Sequence, residues 1–245
     1  MPISVLRYSP LFAPENPVSV TSRPAKSRTQ VARPVADVSQ NEQAYALLQE
    51  RLTTLAYKPG DYLNTATLME GLGLGRTPIN HALHRLSTEG LVQIIPRKGV
   101  MVSPLSIDDA LDLIEVRLVN EALCVRLAAA RMTAPELAQI EALADRFDAA
   151  VAARDMTRIM NCDRLFHEAI AAASRNQVLI EILKVLHARS QRFWAISLSA
   201  EGHLAEVSAE HRSIVAALAQ GSAERSTEAV QSHVASFKRS LLRGR

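Results

Sequence analysis

The stretch from Gly75 to Gly90 constrains the fold more than any other part of the chain. Thr77 followed by Pro78 predicts a helix start, because a threonine hydroxyl caps a first turn and proline needs no N–H there. Apolar residues then recur at helical spacing, namely Ile79, Ala82, Leu83 and Leu86. The opposite face carries hydrogen-bond donors and no acid, namely Asn80, His81, His84, Arg85 and Thr88. Such a helix suits the DNA major groove, although a solvated surface helix would show the same pattern.

The residues before this stretch complete a helix-turn-helix. A first helix over residues 41–57 is followed by a turn at 58–61. A second, short helix begins at Asn64 or Thr65 and ends by Gly73. Two short helices joined by a glycine-containing turn are typical of this motif.

The residues after Gly90 predict a β-hairpin. Residues 91–95 and 100–102 read as strands, and the turn between them has Gly99 available for a positive φ. The hairpin tip carries two adjacent cations, Arg97 and Lys98. Next to a donor-rich helix, such a tip fits contact with phosphates or the minor groove, whereas alone it would indicate only a solvated turn.

The second half of the chain predicts an all-helical bundle. No strand pattern occurs after the boundary at residues 103–105. The expected helices cover about 106–131, 133–154, 157–173, 177–198 (with a break left open), 203–220 and 223–242. The predicted fold is therefore mainly α, with a winged helix-turn-helix domain over 41–105 and a helical domain over 106–245.

The composition and net charge of each segment limit what the N-terminal arm can form and how the chain can bind DNA. Residues 1–40 hold six of the eleven prolines and a net charge of +3, which predicts a disordered basic arm. The net charge is +1 for residues 41–105 and −1 for 106–245, so any DNA binding has to come from locally placed donors. Two isolated cysteines and the lack of a long apolar run predict a protein of a reducing compartment, the cytoplasm, without a membrane span.

Four polar residues of the predicted bundle could meet at one point. Asp163 and His167 are four residues apart on one helix and share a face. His211 and His233 lie on the two following helices. One carboxylate with three imidazoles suits zinc, nickel, iron or manganese, with zinc or nickel favoured. Spacing alone also fits unrelated surface or core histidines.

The first half resembles the N-terminal domain of GntR-family transcription regulators. The resemblance rests on Lys58-Pro59-Gly60, Leu74 to Ile79, Ala82 to Leu86 with Glu89-Gly90-Leu91, and Arg97 to Val100. It implies base or phosphate contacts by Arg76, Asn80 and Arg85. It also implies helix capping, with a phosphate contact, by Thr77, and a wing placed on the DNA backbone by Arg97, Lys98 and Gly99. The family usually has Arg-Glu where this chain has Asn80-His81, so its usual operator is not assumed.

The second half resembles the effector-binding domain of the FadR-type GntR regulators. The resemblance rests on Asp163 to His167, Ala173 to Asn176, Glu210 to Ile214, and His233. It implies that Asp163, His167, His211 and His233 bind a divalent metal, which in turn holds a small carboxylic acid. Arg117 lies where the family often has a pocket arginine, although a salt bridge to Glu121 or Glu115 is the alternative. Arg192 and Asn176 are further effector-binding candidates, and a loop or cap role is the alternative for Asn176.

Together these features predict a ligand-responsive repressor that binds double-stranded DNA as a homodimer on a near-palindromic operator. The alternative is a metal-dependent enzyme, such as a hydrolase that uses the Asp/His site. Against the enzyme, no carboxylate is placed as a general base, because Glu168 is rotated off the face of Asp163 and His167. A purely structural metal in a regulator is a third reading.

Overall fold

A computed structural model describes residues 39–197 and 203–243 of the chain. Over these ranges the protein is mainly α-helical with one small antiparallel sheet, which confirms the predicted fold class. The elements up to residue 102 form a winged helix-turn-helix, and the later helices form a bundle. Of the arm predicted over residues 1–40, all but Ser39 and Gln40 lie outside the described residues.

Three helices form the helix-turn-helix core: α1 (Gln40–Thr53), α2 (Thr65–Leu72) and α3 (Arg76–Thr88). The predicted cap of α2 is present, because the Asn64 side-chain oxygen accepts a hydrogen bond from the Ala66 N–H at 2.8 Å. Gly73 ends α2 in the left-handed conformation, with φ of 64°. The largest fully buried side chains of this domain are Leu48, Leu52, Ile79, Leu86 and Leu91.

Helix α3 begins earlier than the sequence indicates. Gly75 occupies the cap position and its carbonyl accepts the Ile79 N–H at 3.3 Å, so the helix starts at Arg76. The prediction that Thr77 caps this helix is therefore wrong. Pro78 is tolerated within the first turn because none of the N–H groups there has a partner inside the helix. The end of α3 is as predicted, with Gly90 at φ of 79° just after it.

The wing has three strands rather than two. Strands β2 (Val92–Ile95) and β3 (Gly99–Val102) form the predicted hairpin, with Gln93 opposite Met101. A short strand β1 (Tyr62–Leu63) pairs with the other edge of β3. The turn before β1 makes this pairing possible, since the Gly60 N–H donates to the Val102 carbonyl at 3.0 Å.

The bundle consists of six helices in the described residues: α4 (Ile107–Arg131), α5 (Ala134–Ala152), α6 (Met156–Ala173), α7 (Gln177–Ser197), α8 (His203–Ala219) and α9 (Ala223–Arg243). Ser106 caps α4 by accepting the Asp109 N–H at 3.0 Å. The Glu136 carboxylate accepts the Thr133 N–H at 2.8 Å at the start of α5. Helix α7 is continuous, although the sequence left a break open. None of the described helices is both long and apolar enough to cross a bilayer.

Helix α7 contacts both the bundle and the winged helix-turn-helix. It packs against α4, α6 and α9 of the bundle and also against α1. Gln191 donates a hydrogen bond to the Met160 carbonyl of α6 at 3.0 Å. Ala188, one turn earlier on α7, is buried within the core of the winged helix-turn-helix. A displacement of α7 would therefore change contacts in both parts of the protein.

Candidate functional site

Three bundle helices bring the four predicted ligands together. Asp163 and His167 extend from α6, His211 from α8 and His233 from α9. Asp163 Oδ1 lies 3.7 Å from His167 Nε2 and 3.5 Å from His211 Nε2. The three imidazoles place one nitrogen each within 4.8 Å of one another. The ligand set that the sequence suggested is thus a compact cluster inside the bundle.

His211 is a buried imidazole without a hydrogen-bond partner among the described residues. Its side chain is fully buried, and neither ring nitrogen makes a hydrogen bond in the described structure. Its ring stacks on Phe166, with 4.2 Å between ring centroids, which fixes its orientation. Buried polar groups are almost always paired, because an unpaired one costs about 1–3 kcal/mol. A bound cation would supply the missing partner.

The pKa values of the cluster favour cation binding. Burial lowers the pKa of the His167 and His211 imidazoles, and so favours their neutral forms. Burial alone would raise the pKa of the Asp163 carboxyl, but the adjacent His211 and His167 hold it below its ordinary value. An ionised carboxylate and neutral imidazoles are the forms that bind a metal. These residues therefore fit a divalent cation of the zinc or nickel type.

Two carboxylates lie beside imidazoles of the cluster. Glu210 Oε2 lies 2.9 Å from His233 Nδ1, which leaves Nε2 of that ring free for a cation. A carboxylate at this distance fixes the tautomer and orientation of a histidine. Glu121, on α4, places Oε2 3.8 Å from His167 Nδ1, which is beyond hydrogen-bond distance, so it acts on that ring through its charge. From the sequence, Glu210 is assigned no such role and Glu121 is expected only as an ion-pair partner of Arg117.

Glu121 is the centre of a buried charge network. Its Oε1 accepts hydrogen bonds from Arg117 Nε at 2.5 Å and from His187 Nε2 at 3.2 Å. Burial would raise the pKa of Glu121, but Arg117 and His187 hold it well below its ordinary value. Glu121, His167 and His187 are close enough to hold a cation. Because Arg117 already neutralises the carboxylate, the network suits orientation of His167 better than a second metal.

Arg117 lines the cavity beside this cluster. The cavity is bounded by Asp163, His167, His187, His233 and Trp194, and its free volume is ≈ 30 Å³. Arg117 binds Glu121 through Nε alone, so its terminal nitrogens have no hydrogen bond among the described residues. Those nitrogens could clamp a carboxylate. The volume suffices for one or two waters, so a larger ligand requires the cavity to widen.

Asn176 and Arg192 do not line this cavity, and for Asn176 the structure shows the alternative role of a cap residue. Asn176 caps α7, where its side-chain oxygen accepts the Leu179 N–H at 3.2 Å. Arg192 lies on the side of α7 that faces the winged helix-turn-helix and donates to the Ser103 carbonyl. Glu168, the carboxylate of the enzyme alternative, binds Arg164 at 2.7 Å and is not part of the cavity wall.

The exposed face of α3 carries most of the predicted DNA contacts. Arg76, Thr77 and Asn80 are all exposed in the first turns. Arg85 differs, because its side chain is half-buried and forms ion pairs with Glu42 at 3.0 Å and Glu89 at 3.3 Å. The described structure thus leaves the N-terminal half of α3 free and ties Arg85 to its own domain.

The wing tip presents its two cations as the sequence suggests. Arg97 and Lys98 are exposed in the turn between β2 and β3. Arg97 has φ of 65° and Gly99 has φ of 101°, so this turn uses two left-handed residues. A side chain at Gly99 would meet nothing within 4 Å, so the space beside it is open to a phosphate backbone.

Comparisons with known proteins match both halves. Residues 40–102 match the model of the gntR family of bacterial regulatory proteins, and residues 112–236, just over half of the chain, match the FCD domain. The chain is similar to the HTH-type transcriptional regulator McbR of Escherichia coli K12, with 31% identity over 142 residues. That match covers 58% of this chain and 64% of McbR, just under two thirds of the relative's length.

Two further comparisons extend over more of the chain. The HTH-type transcriptional repressor GlaR of E. coli K12 is 28% identical over 200 residues, which cover 78% of this chain and 90% of GlaR. The solved structure of E. coli McbR superposes with a TM-score of 0.78 at 26% identity. The superposition covers 85% of this chain and 99% of the McbR chain. Both the order of the two domains and their fold are thus shared with known regulators.

Proposed function

Because the chain belongs to the GntR family of bacterial regulatory proteins and carries an FCD domain, we propose that it is a ligand-responsive transcription regulator. It binds double-stranded DNA through the winged helix-turn-helix and acts as a repressor, as the printed name of its relative GlaR states for that protein. A small carboxylic acid at the metal centre sets its affinity for the operator. The observation that carries this proposal is the unpaired, fully buried His211 inside the Asp/His cluster.

The DNA contacts follow from the exposed groups of α3 and the wing. Arg76 and Asn80 lie on the free face of α3 and would reach base edges or phosphates in the major groove. Thr77, beside them, would touch a phosphate. Arg97 and Lys98 would bind the backbone, with Gly99 allowing close approach. We assign Arg85 an indirect part in DNA binding, because it is already paired within its domain.

The effector contacts follow from the cavity wall. A divalent metal held by Asp163, His167, His211 and His233 would supply a positive centre for a carboxylate oxygen. The terminal nitrogens of Arg117 would take the same or a second carboxylate.

Widening of the cavity links the effector to DNA. An organic acid needs more than the ≈ 30 Å³ now free, so it has to displace part of the cavity wall. Helix α7 supplies His187 and Trp194 to that wall and packs against α1. In a homodimer, a shift of α7 would change the separation of the two recognition helices and hence operator affinity.

The test uses purified protein and duplex DNA from beside its own coding region. Binding is measured by fluorescence anisotropy, with and without zinc or nickel and a panel of small carboxylic acids. We expect nanomolar to micromolar affinity that at least one acid changes only when metal is present. Failure to bind any such duplex at low salt would overturn the regulator, whereas binding that ignores both metal and acids would overturn only the effector part.

A matched pair of variants separates the two halves. Arg76→Ala with Asn80→Ala removes exposed side chains of α3 and should abolish specific DNA binding while metal content is unchanged. His211→Ala with His233→Ala should abolish metal binding and the acid response while DNA binding persists. The opposite pattern would show that the two sites are assigned to the wrong halves.

A further inference from the structure

A second groove lies between α7 and the segment that joins the wing to the bundle. It has a volume of ≈ 430 Å³ and is separate from the metal cavity. Its walls come from the end of α3, from β2, from residues 103–105 and from α7. Two arginines of α7, Arg189 and Arg192, face into it, and Asp109 is the one acid in its described lining.

Arg192 is buried without a carboxylate partner. Its side chain is 2% exposed, and one terminal nitrogen donates to the Ser103 carbonyl. Its Nε has no hydrogen-bond partner in the described structure. Burial, together with the charge of Arg189, lowers the pKa of Arg192 to about 10. Buried charges in proteins are normally paired, so this guanidinium is an exception that calls for an explanation.

Arg189 adds a second positive charge to the same groove. It precedes Arg192 by three residues, so both lie on one face of α7. Its guanidinium lies against the end of the recognition helix, where a Cβ placed at Gly90 would be 3.7 Å from Arg189 Nε. No ion pair joins Arg189 or Arg192 to Asp109 or to any other acid within residues 39–197 and 203–243. The two cations therefore lie side by side on α7 with no acidic partner among the described residues.

We propose that this hinge groove, defined by Arg189, Arg192, Ser103 and Gly90, binds a small molecule through a carboxylate or phosphate group. The fork of donors on each guanidinium matches the oxygens of either group, and the unbonded Nε of Arg192 supplies a donor that is already desolvated. The Ser103 carbonyl accepts from one nitrogen of Arg192 but leaves Nε without a partner and neutralises neither charge.

The position of the groove gives such a ligand a regulatory consequence. Arg189 lies beside Gly90, just after α3, and Arg192 donates to the carbonyl of Ser103, just after β3. An anion bound to both arginines would remove their mutual repulsion and tighten the contact of α7 with the DNA-binding domain. The site would thus act on domain placement without passing through the metal centre.

The test measures anion binding in a background that lacks the metal centre. The full-length His211→Ala/His233→Ala variant, treated with a chelator, is titrated with inorganic phosphate and with citrate in separate arms. Ionic strength is held constant with sodium chloride, and binding is followed by isothermal calorimetry and by Tm. We expect saturable binding and a rise in Tm in at least one arm, and the arm that responds identifies the ligand group. No saturable binding in either arm, or the same rise in Tm with chloride, would overturn the proposal.

Single substitutions in the same background locate the site. Arg189→Gln and Arg192→Gln should each weaken anion binding by about tenfold or more, because each removes a charge-assisted donor pair. Arg126→Gln, which alters an exposed arginine of α4, should leave it unchanged. If Arg192→Gln fails to fold, Arg189→Gln still decides, because that side chain is only half-buried. Unchanged anion affinity in Arg189→Gln would show that the groove is not the site.

Discussion

The guanidinium carbon of Arg85 lies 3.6 Å from the centroid of the Tyr45 ring, and this contact ties the recognition helix to α1. The Tyr45 hydroxyl donates to the Glu89 carboxylate at 2.8 Å, and Arg85 also pairs with Glu42 and Glu89. From the bundle, Lys184 of α7 brings Nζ to 5.2 Å from the same ring centroid. Arg85 is therefore a structural residue of its domain as well as a member of the DNA-facing helix.

Replacement of Arg85 should reduce stability, whereas replacement of Arg76 should not. Arg85→Ala removes a partly desolvated cation–π contact and the packing of the side-chain stem, so we expect a loss of about 1–2 kcal/mol in the free energy of unfolding. Arg76→Ala alters an exposed side chain and should stay within about 0.5 kcal/mol of the parent. Urea denaturation followed by circular dichroism measures both. Equal stability of the two variants would show that the contact with Tyr45 contributes nothing.

The local features of the fold could be predicted because each depends on a few neighbouring residues. The start of α2, predicted at Asn64 or Thr65, is capped by Asn64, and Gly99, predicted for a positive φ, has φ of 101°. The start of α3 was misplaced because Thr-Pro fits a cap and a first turn equally well, and the preceding Gly75 was not considered. Strand β1 was not predicted, because two residues are too few to show the alternation of apolar and polar side chains that marks a strand.

The sequence predicted the four candidate ligands but not the residues around them, and one reason explains why those were missed. The Asp/His ligands could be predicted from a local spacing together with a family resemblance. Glu121 and His187 become neighbours only through the packing of α4 against α7, which no spacing in the sequence reveals. Arg192 lines a different groove from the other effector-binding candidates, because the sequence does not show which face of α7 meets the winged helix-turn-helix.

Metal binding should depend on His211. In His211→Leu a buried imidazole without a hydrogen bond is replaced by an apolar side chain of similar size, which favours the metal-free fold. The Asp163 carboxylate at the same time loses a neighbour that lowers its pKa, which opposes this gain, so the zinc response is compared within each protein. Zinc at a hundredfold excess over its Kd should stabilise the parent by about 2.7 kcal/mol and the variant hardly at all. Thermal denaturation with and without zinc measures both effects.

A matched histidine provides the control for that experiment. His84→Leu changes an exposed imidazole of α3 and should keep the zinc response of the parent. If His211→Leu retained its zinc-dependent rise in Tm, the ion would bind elsewhere and the cluster would have to be abandoned as the metal centre.

Glu121 should affect metal affinity although it is not a predicted ligand. Glu121→Gln keeps the shape of the side chain but removes the charge that faces Arg117, His187 and His167. Loss of such an outer carboxylate typically weakens metal affinity by about 10- to 100-fold. Removal of one partner of a buried ion pair should also reduce stability by about 3 kcal/mol or more. Competition with a fluorescent chelator measures the affinity, and Glu115→Gln on the exposed side of α4 is the control.

The wing cations should raise DNA affinity through their charge, without discriminating between base sequences. Lys98→Ala should lower operator affinity by a similar factor for every duplex and reduce the slope of log K against log salt by about 0.9. Anisotropy titrations at several salt concentrations measure this slope. A variant that lost affinity for one sequence only would indicate a base contact instead, and an unchanged slope would place the wing away from the DNA.

Asn80 should determine one base of each operator half-site. It is exposed in the second turn of α3, on the same free face as Arg76. An asparagine side chain pairs with N6 and N7 of adenine, whereas arginine pairs with O6 and N7 of guanine, and such a pair discriminates by about 1–3 kcal/mol. Selection from a randomised duplex library should therefore return adenine at a symmetric position for the parent and guanine for Asn80→Arg. Because Thr88 lies at the far end of the same helix, Thr88→Ala should select the parental site. If the parent and Asn80→Arg selected the same base at every position, Asn80 would lie outside the major groove and the recognition face would have to be placed elsewhere on α3.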